Sequence, residues 1–315
     1  MLLLWKIYIF IQNGGLKMYN NLDIYFKNIE YNNMIYSIDK IRLKTYINFQ
    51  QFNDLENYIN IYFKENIKNF WLSDKKGAFH YNYNIEIEEG KSFIFQFMHN
   101  NESISYNDIE KVYNFTIEFN PNKLRDNFLL IHILNSFCNW LLRGFDLAID
   151  IPINILDLVI DKNRKRKFFM QSYGGDNVTY YLGTKEKDGS VKIYNKKVES
   201  DLPIVGHLTR IEISRKYDDY DIKGIKNYEF GEQFLPILYL NQYLATFSDV
   251  IGKDKTLLGL LYAVQHGYSI NNLSRVYKEK IKNMLEGSSR IQFSNKIARS
   301  SFKAMFVSIF YQTRL

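Results

Sequence analysis

The chain has 315 residues, of which 46% are hydrophobic, and 41 Lys and Arg stand against 34 Asp and Glu for a formal net charge of +7. That length supports one large domain or two moderate ones with a sizeable core, and the modest positive charge permits a polyanionic partner without demanding one. A single cysteine, Cys138, excludes a disulfide framework and a cysteine-rich metal site.

Such a lone thiol is expected to be buried among apolar neighbours. Aromatic residues reach 17%, but Asn, Ile and Lys are abundant too, so the tyrosines alone do not signal base stacking. The apolar start, residues 1–11, is shorter than the roughly 20 residues a bilayer span needs. No small-residue cleavage site follows it, so a membrane partner and a secretory leader are not expected and the expected location is cytoplasmic. Gly14-Gly15 precedes Met18, as a translated ribosome-binding site would, so residues 1–17 are expected to be a non-native extension.

Alternation of apolar and polar residues predicts a strand over 38–46, and apolar residues at helical spacing predict a helix over 52–63. Residues 81–88 and 92–98 read as a hairpin around Glu89-Gly90-Lys91, and 113–119 as a further strand. After Asn120-Pro121-Asn122 an apolar helix is expected over 123–142, then a strand over 144–151 that stops at Pro152. A second hairpin pairs 179–184 with 191–195 through Lys187-Asp188-Gly189-Ser190, where Asp-Gly is a strong turn signal. Residues 208–214 complete the strands. Beyond about 231 the spacing turns helical, over 234–247, 255–266, 270–285 and 291–311.

These elements predict an α+β fold: a curved antiparallel sheet, internally duplicated, with helices on one face and a C-terminal helical subdomain. The expected division is 18–230 for the strand-rich catalytic domain and 231–315 for the helical subdomain, suited to DNA binding or dimerisation.

Three strands carry polar residues on one face. In GFDLAIDI, Asp146, Ala148 and Asp150 share a side. In SVKIYNKK, Lys192, Tyr194 and Lys196 do so, and in LTRIEIS, Arg210, Glu212 and Ser214. A phenol beside two lysines has a use, because positive charge favours the phenolate and can neutralise a phosphate under attack. Glu212 with Asp146 or Asp150 offers hard oxygen donors for Mg²⁺ or Mn²⁺ if the strands are neighbours. Asp146 and Asp150 lie about 13 Å apart along an ideal strand, so one of them at most is expected on a given ion. The densest basic run, Arg164, Lys165, Arg166 and Lys167 with Lys162, could rest on duplex phosphates. The helical tail carries Arg275, Lys278, Lys280 and Lys282 among apolar residues. No nucleotide-binding glycine-lysine loop and no His-x-His pair is present.

The ordered series FDLAID, TYYLGTKEKDGSVKIYNKK and LTRIEIS resembles the replication initiation factor family of rolling-circle plasmids, often called Rep_trans. The matching positions are Tyr181, Gly183 and Lys185, then Lys192, Tyr194 and Lys196, then Arg210 and Glu212. Lys185 and Lys192 stand where many members carry Arg, and Asp39 falls where the family has an acid on its first strand. The resemblance implies a metal-dependent nicking-closing enzyme whose tyrosine, here Tyr194, attacks one strand of a plasmid origin. The products are a 5′-phosphotyrosine link and a 3′-hydroxyl primer. It further implies Lys192, Lys196 and Arg210 as phosphate-side stabilisers, and Glu212, Asp146 and Asp150 as ligands of a divalent ion. Lys185 and the 164–167 run would contact DNA. Expected partners are origin DNA, double-stranded and locally single-stranded, a second copy of the chain, and a host helicase. Other readings are an origin-binding initiator that does not cut, a mobilisation relaxase or phage replication protein, and a structural α+β protein.

Overall fold

A computed structural model of the protein describes residues 29–31, 34–72, 81–89, 91–99, 112–124, 128–137, 139–160, 167–184, 188–200, 206–221, 237–239, 254–265, 268–286 and 289–311. In chain order the strands are β1 Ile29–Tyr31, β2 Met34–Asn48, β3 Ile67–Leu72, β4 Tyr81–Glu88, β5 Lys91–His99, β6 Val112–Phe119 and β7 Leu141–Ile151. They continue with β8 Leu158–Ile160, β9 Phe168–Ser172, β10 Val178–Leu182, β11 Val191–Asn195, β12 Thr209–Asp221, β13 Ile237–Tyr239 and β14 Ser289–Arg290. The α-helices are α1 Phe49–Tyr62, α2 Pro121–Leu124, α3 Phe128–Ser136, α4 Lys196–Glu199, α5 Lys255–Gln265, α6 Arg275–Glu286 and α7 Asn295–Tyr311.

The fold is α+β, as expected. One open antiparallel sheet runs β3-β4-β5-β6-β2-β7-β12-β11-β10-β9, with β1 paired to β2. This order contains the expected duplication. From β2 outward it reads β2-β6-β5-β4-β3, and from β7 outward β7-β12-β11-β10-β9. In each half the first strand pairs with the last, and the others follow in reverse. The halves join where β2 and β7 run antiparallel, with Lys40 opposite Asp146 on one rung.

Apolar residues of one face make the core, and helices cover it. Asn48 caps α1 through a reciprocal capping box with Gln51, satisfying the first free N–H groups of that helix. The helix buries Phe52, Leu55 and Ile59, and Phe52 stacks on Tyr113 of β6 with ring centroids 4.4 Å apart. Across the seam, Phe302 of α7 meets Phe145 of β7 at 4.7 Å. A smaller cluster gathers Val159 of β8 with Leu257, Leu261 and Val264 of α5 and Ile281 and Leu285 of α6.

Several expectations change. The helix expected over 123–142 is two short helices, and Leu141 and Leu142 already belong to β7, where Leu142 is fully buried. Of the helix expected over 234–247, the described residues 237–239 form a strand that pairs with β8 and β14. A boundary near 231 does not separate packing units, because Ala298 and Phe302 of α7 lie in the core under the large sheet. Cys138, residues 1–17, the 162–166 basic residues and Lys185 lie outside the described residues. Among the described residues no helix is long and apolar enough to cross a membrane.

Candidate active site

The face of the sheet away from α1 and α7 is polar, and the site lies where its second half meets the seam. Register decides which side chains meet. On β11 and β12, Lys192 pairs with Glu212 and Tyr194 with Arg210. On β12 and β7, Arg210 pairs with Asp150, Glu212 with Ala148 and Ser214 with Asp146. Thus three strands distant in sequence bring Tyr194, Arg210, Glu212, Asp146 and Asp150 onto one surface, as their alternation requires.

Tyr194 donates its hydroxyl to Glu212 Oε1 at 2.5 Å. The residue is only 3% exposed, yet its ring is not part of the apolar core cluster. It is covered from the polar side: Lys192 Nζ lies 3.9 Å from the ring centroid and Lys196 Nζ 5.8 Å, a cation–π arrangement. Lys196 also pairs with Glu199 at 2.7 Å, at the short helix α4 capped by Asn195.

The lysines do not govern the phenol as the sequence suggested. Its pKa is pushed well above the ordinary value, first by burial, then by the charge of Glu212 and its hydrogen bond, with Arg210 opposing. The Glu212 carboxyl is also raised, chiefly by burial, against the lowering effects of the Tyr194 hydrogen bond and Lys192. The arrangement is therefore a neutral phenol hydrogen-bonded to a carboxylate that can take its proton.

Arg210 is committed elsewhere. Its Nε and Nη2 donate to the two oxygens of Asp150 at 2.5 and 2.6 Å, and Nη1 donates to Asp39 at 2.5 Å. Burial works against the guanidinium charge, but the Asp150 hydrogen bond and the charges of Asp39 and Asp150 outweigh it. Arg210 thus sits behind Tyr194 as a clamped internal cation, its guanidinium held by Asp150 and Asp39. Asp150, expected as a metal ligand, has both of its oxygens on Arg210.

Asp39 reaches Arg210 because β2 carries a β-bulge between Ile38 and Lys40, opposite β7. Ile38 and Ile41 both face the core, so Asp39 and Lys40 both turn to the polar face. The signal was present in the sequence: apolar residues at 36 and 38 resume at 41 and 43, one position out of phase.

Beyond Glu212 and Lys192, which cover the Tyr194 hydroxyl and ring, lies a cleft of about 690 Å³, lined by these two with Lys40, Arg42, Asp146 and Tyr181 among others but not by Tyr194 itself. Lys40 and Arg42 were not anticipated. They hold Glu118 of β6, Lys40 at 3.2 Å and Arg42 through its Nη2. At the far end Phe169, 60% exposed, lies against Tyr181 with centroids 5.8 Å apart. Lys167, the one described member of the basic run, is exposed just before β9, and its carbonyl accepts from Gly183 N–H at 2.7 Å.

The donors for a divalent ion are fewer than expected. With Asp150 withdrawn, Asp146 and Glu212 remain on the cleft as diagonal neighbours on β7 and β12. No group of three or more His, Cys, Asp or Glu side chains suited to a metal occurs among the described residues. Two carboxylates nevertheless suit Mg²⁺, which commonly takes one or two together with substrate phosphate oxygens.

The chain is 29% identical over 194 residues to a replication initiation protein of Staphylococcus aureus, covering 58% of this chain and 57% of that protein. A second replication initiation protein from the same organism is 37% identical over 120 residues, 34% of this chain and 37% of its own length. The chain is thus similar, over these stretches, to proteins named as replication initiation proteins. It spans a little over half of the first of these relatives and just over a third of the second. No family model matches. A rolling circle replication initiator protein from Geobacillus stearothermophilus superimposes with a TM-score of 0.34 at 12% identity, covering 80% of this chain and 97% of that one.

Proposed function

We propose that this protein initiates rolling-circle replication of a plasmid by nicking one strand of the origin, with Tyr194 as nucleophile and Glu212 as its proton acceptor. The observation that carries this reading is the Tyr194–Glu212 hydrogen bond of 2.5 Å at the edge of a cleft lined by cations. The phenol is not ionised in advance, so it must lose its proton as it attacks, and Glu212 is already in contact with that proton. The Tyr194 oxygen forms a bond to phosphorus, and the bond from phosphorus to the 3′ oxygen breaks. The proton leaves for Glu212, and the departing 3′ oxygen takes one up from water, so the exchange balances as a transesterification. Lys192, over the phenol ring, supplies positive charge where the phosphate must sit.

A Mg²⁺ or Mn²⁺ ion would be held by Asp146 and Glu212 together with phosphate oxygens, and would supply charge neutralisation at the leaving oxygen. Bases of the locally unpaired strand would stack on Phe169 and Tyr181.

The test is to incubate the protein with supercoiled plasmid carrying the native origin and Mg²⁺ or Mn²⁺. The expected result is nicked circles and a covalent adduct that mass spectrometry maps to Tyr194, absent from Tyr194→Phe. Origin binding without any adduct would favour an initiator that does not cut. An adduct on another residue would overturn the assignment.

A further inference from the structure

Lys40 and Arg42 belong to β2, in the half of the sheet opposite to the one that carries Tyr194. The two halves follow the same strand order, which gives each position a counterpart. Counting two residues beyond the Lys40–Asp146 rung leads to Arg42 on β2 and to Ala148 on β7. Arg42 pairs with Glu118 of β6, and Ala148 with Glu212 of β12. Glu118 is therefore the counterpart of Glu212, but its chemistry differs. Glu212 accepts from a phenol, whereas Glu118 accepts from two cations.

The cleft is lined by five basic side chains, Lys40, Arg42, Lys192, Arg215 and Lys216, against two acidic ones, Asp146 and Glu212. Lys40 and Arg42 are also accessible, with side chains 47% and 37% exposed, while Glu118 beneath them is 15% exposed. Lys40 Nζ is a further 4.0 Å from Asp146, and both cations line the cleft.

We propose that Lys40 and Arg42 bind a phosphate of the DNA strand other than the one attacked, so that the cleft grips its substrate across the seam between the two halves. This rests on the nicking reading above. Three strand spacings separate β2 from β11, about 14 Å at the backbone. Lys192 lies over the Tyr194 ring while Lys40 lies beside Glu118 and Asp146, so the two groups of cations address different phosphates. The half without a nucleophile has kept the anion-binding part of the arrangement.

The experiment compares wild type, the double variant Lys40→Gln/Arg42→Gln, and Arg42→Lys. Binding of a single-stranded oligothymidylate is measured by fluorescence anisotropy over a salt series, and nicking kinetics on the supercoiled origin plasmid. Each lost phosphate contact should reduce the slope of log affinity against log salt by about 0.7 for a single strand. The double variant is expected to lose about 0.7 to 1.4 from the slope and about tenfold in affinity. The same loss should appear in KM more than in kcat, and Arg42→Lys should retain the wild-type slope. An unchanged slope, or a loss confined to kcat, overturns the proposal. Failure of the wild type to form any adduct would instead sink the nicking reading, and the salt series would still decide whether these cations bind a strand.

Discussion

The hydroxyl of Tyr194 donates to Glu212 at 2.5 Å, across the β11–β12 pair and not between facing residues, since Glu212 faces Lys192 in the register. A nucleophile and its base are thus fixed by two adjacent strands whose pairing leaves little freedom to separate them. Glu212→Gln keeps an acceptor of the same shape but cannot take the proton. We expect nicking to fall by about 10²- to 10⁴-fold, the usual contribution of a general base, with origin binding preserved. Gel quantification of nicked circles against anisotropy binding makes the comparison.

Burial raises the Glu212 carboxyl above the ordinary carboxylate range, and the base works only when deprotonated. Nicking should therefore rise with pH through this raised value and then level off, because the phenol need not ionise beforehand. Stability has two opposing contributions. Glu212 and Asp146 are raised, so the folded chain binds their protons more tightly and loses stability as pH rises from the ordinary to the raised value. Glu118 is lowered: burial would raise it, but Arg42 and Lys40 prevail. Its stabilisation is present above the ordinary value and is lost as pH falls through the lowered one. Thermal melts of wild type and Glu212→Gln across pH should differ in the upper window, with the variant the more stable.

Arg210 bridges Asp150 and Asp39 with side chains 10%, 8% and 20% exposed respectively. Removing the cation would strand two acids on a largely buried surface. Arg210→Met is expected to cost about 3–5 kcal/mol in urea denaturation, the usual penalty for breaking a buried pair. Arg210→Lys should cost less, but it loses the fork that meets both oxygens of Asp150.

Gly144 allows β7 and β12 to approach at the cleft. A Cβ built there would lie 2.4 Å from the Arg215 carbonyl oxygen, a backbone atom that cannot swing aside. Gly144→Ala should cost about 1–3 kcal/mol, as overpacking does, and urea midpoints would show it.

Phe169 stands 60% exposed beside Tyr181 at the end of the cleft. Phe169→Ala is expected to weaken single-stranded binding by about 1–3 kcal/mol, the value of one base–aromatic stack, and to spare binding to duplex DNA. Anisotropy with both forms of one oligonucleotide separates the two.

The parts legible in the sequence were those that local period determines. Residues 144–151, 191–195 and 208–214 alternate cleanly, and each displays the predicted polar residues together. What period could not reveal was pairing. That Arg210 faces Asp150 follows from a contact 60 residues apart, and it turns an expected metal ligand into a counter-ion. The apolar run that ends in Trp140, Leu141 and Leu142 reads as helix until the buried start of β7 claims the last two. Ile237–Tyr239 is a strand only because β8 and β14 flank it. Lys40 and Arg42 escaped notice because a lysine and an arginine on an alternating strand resemble any solvated edge, and only the tertiary seam sets them on the same cleft as Asp146 and Glu212.

The inserted residue in β2 has one more consequence. It gives a single sheet position two outward side chains of opposite sign, Asp39 toward Arg210 and Lys40 toward the groove. Deleting either residue would leave Ile38 and Ile41 separated by a single position, so the strand would return to plain alternation and keep its greasy face inward. The molecule would stay in step but could no longer show an acid and a base side by side at that rung.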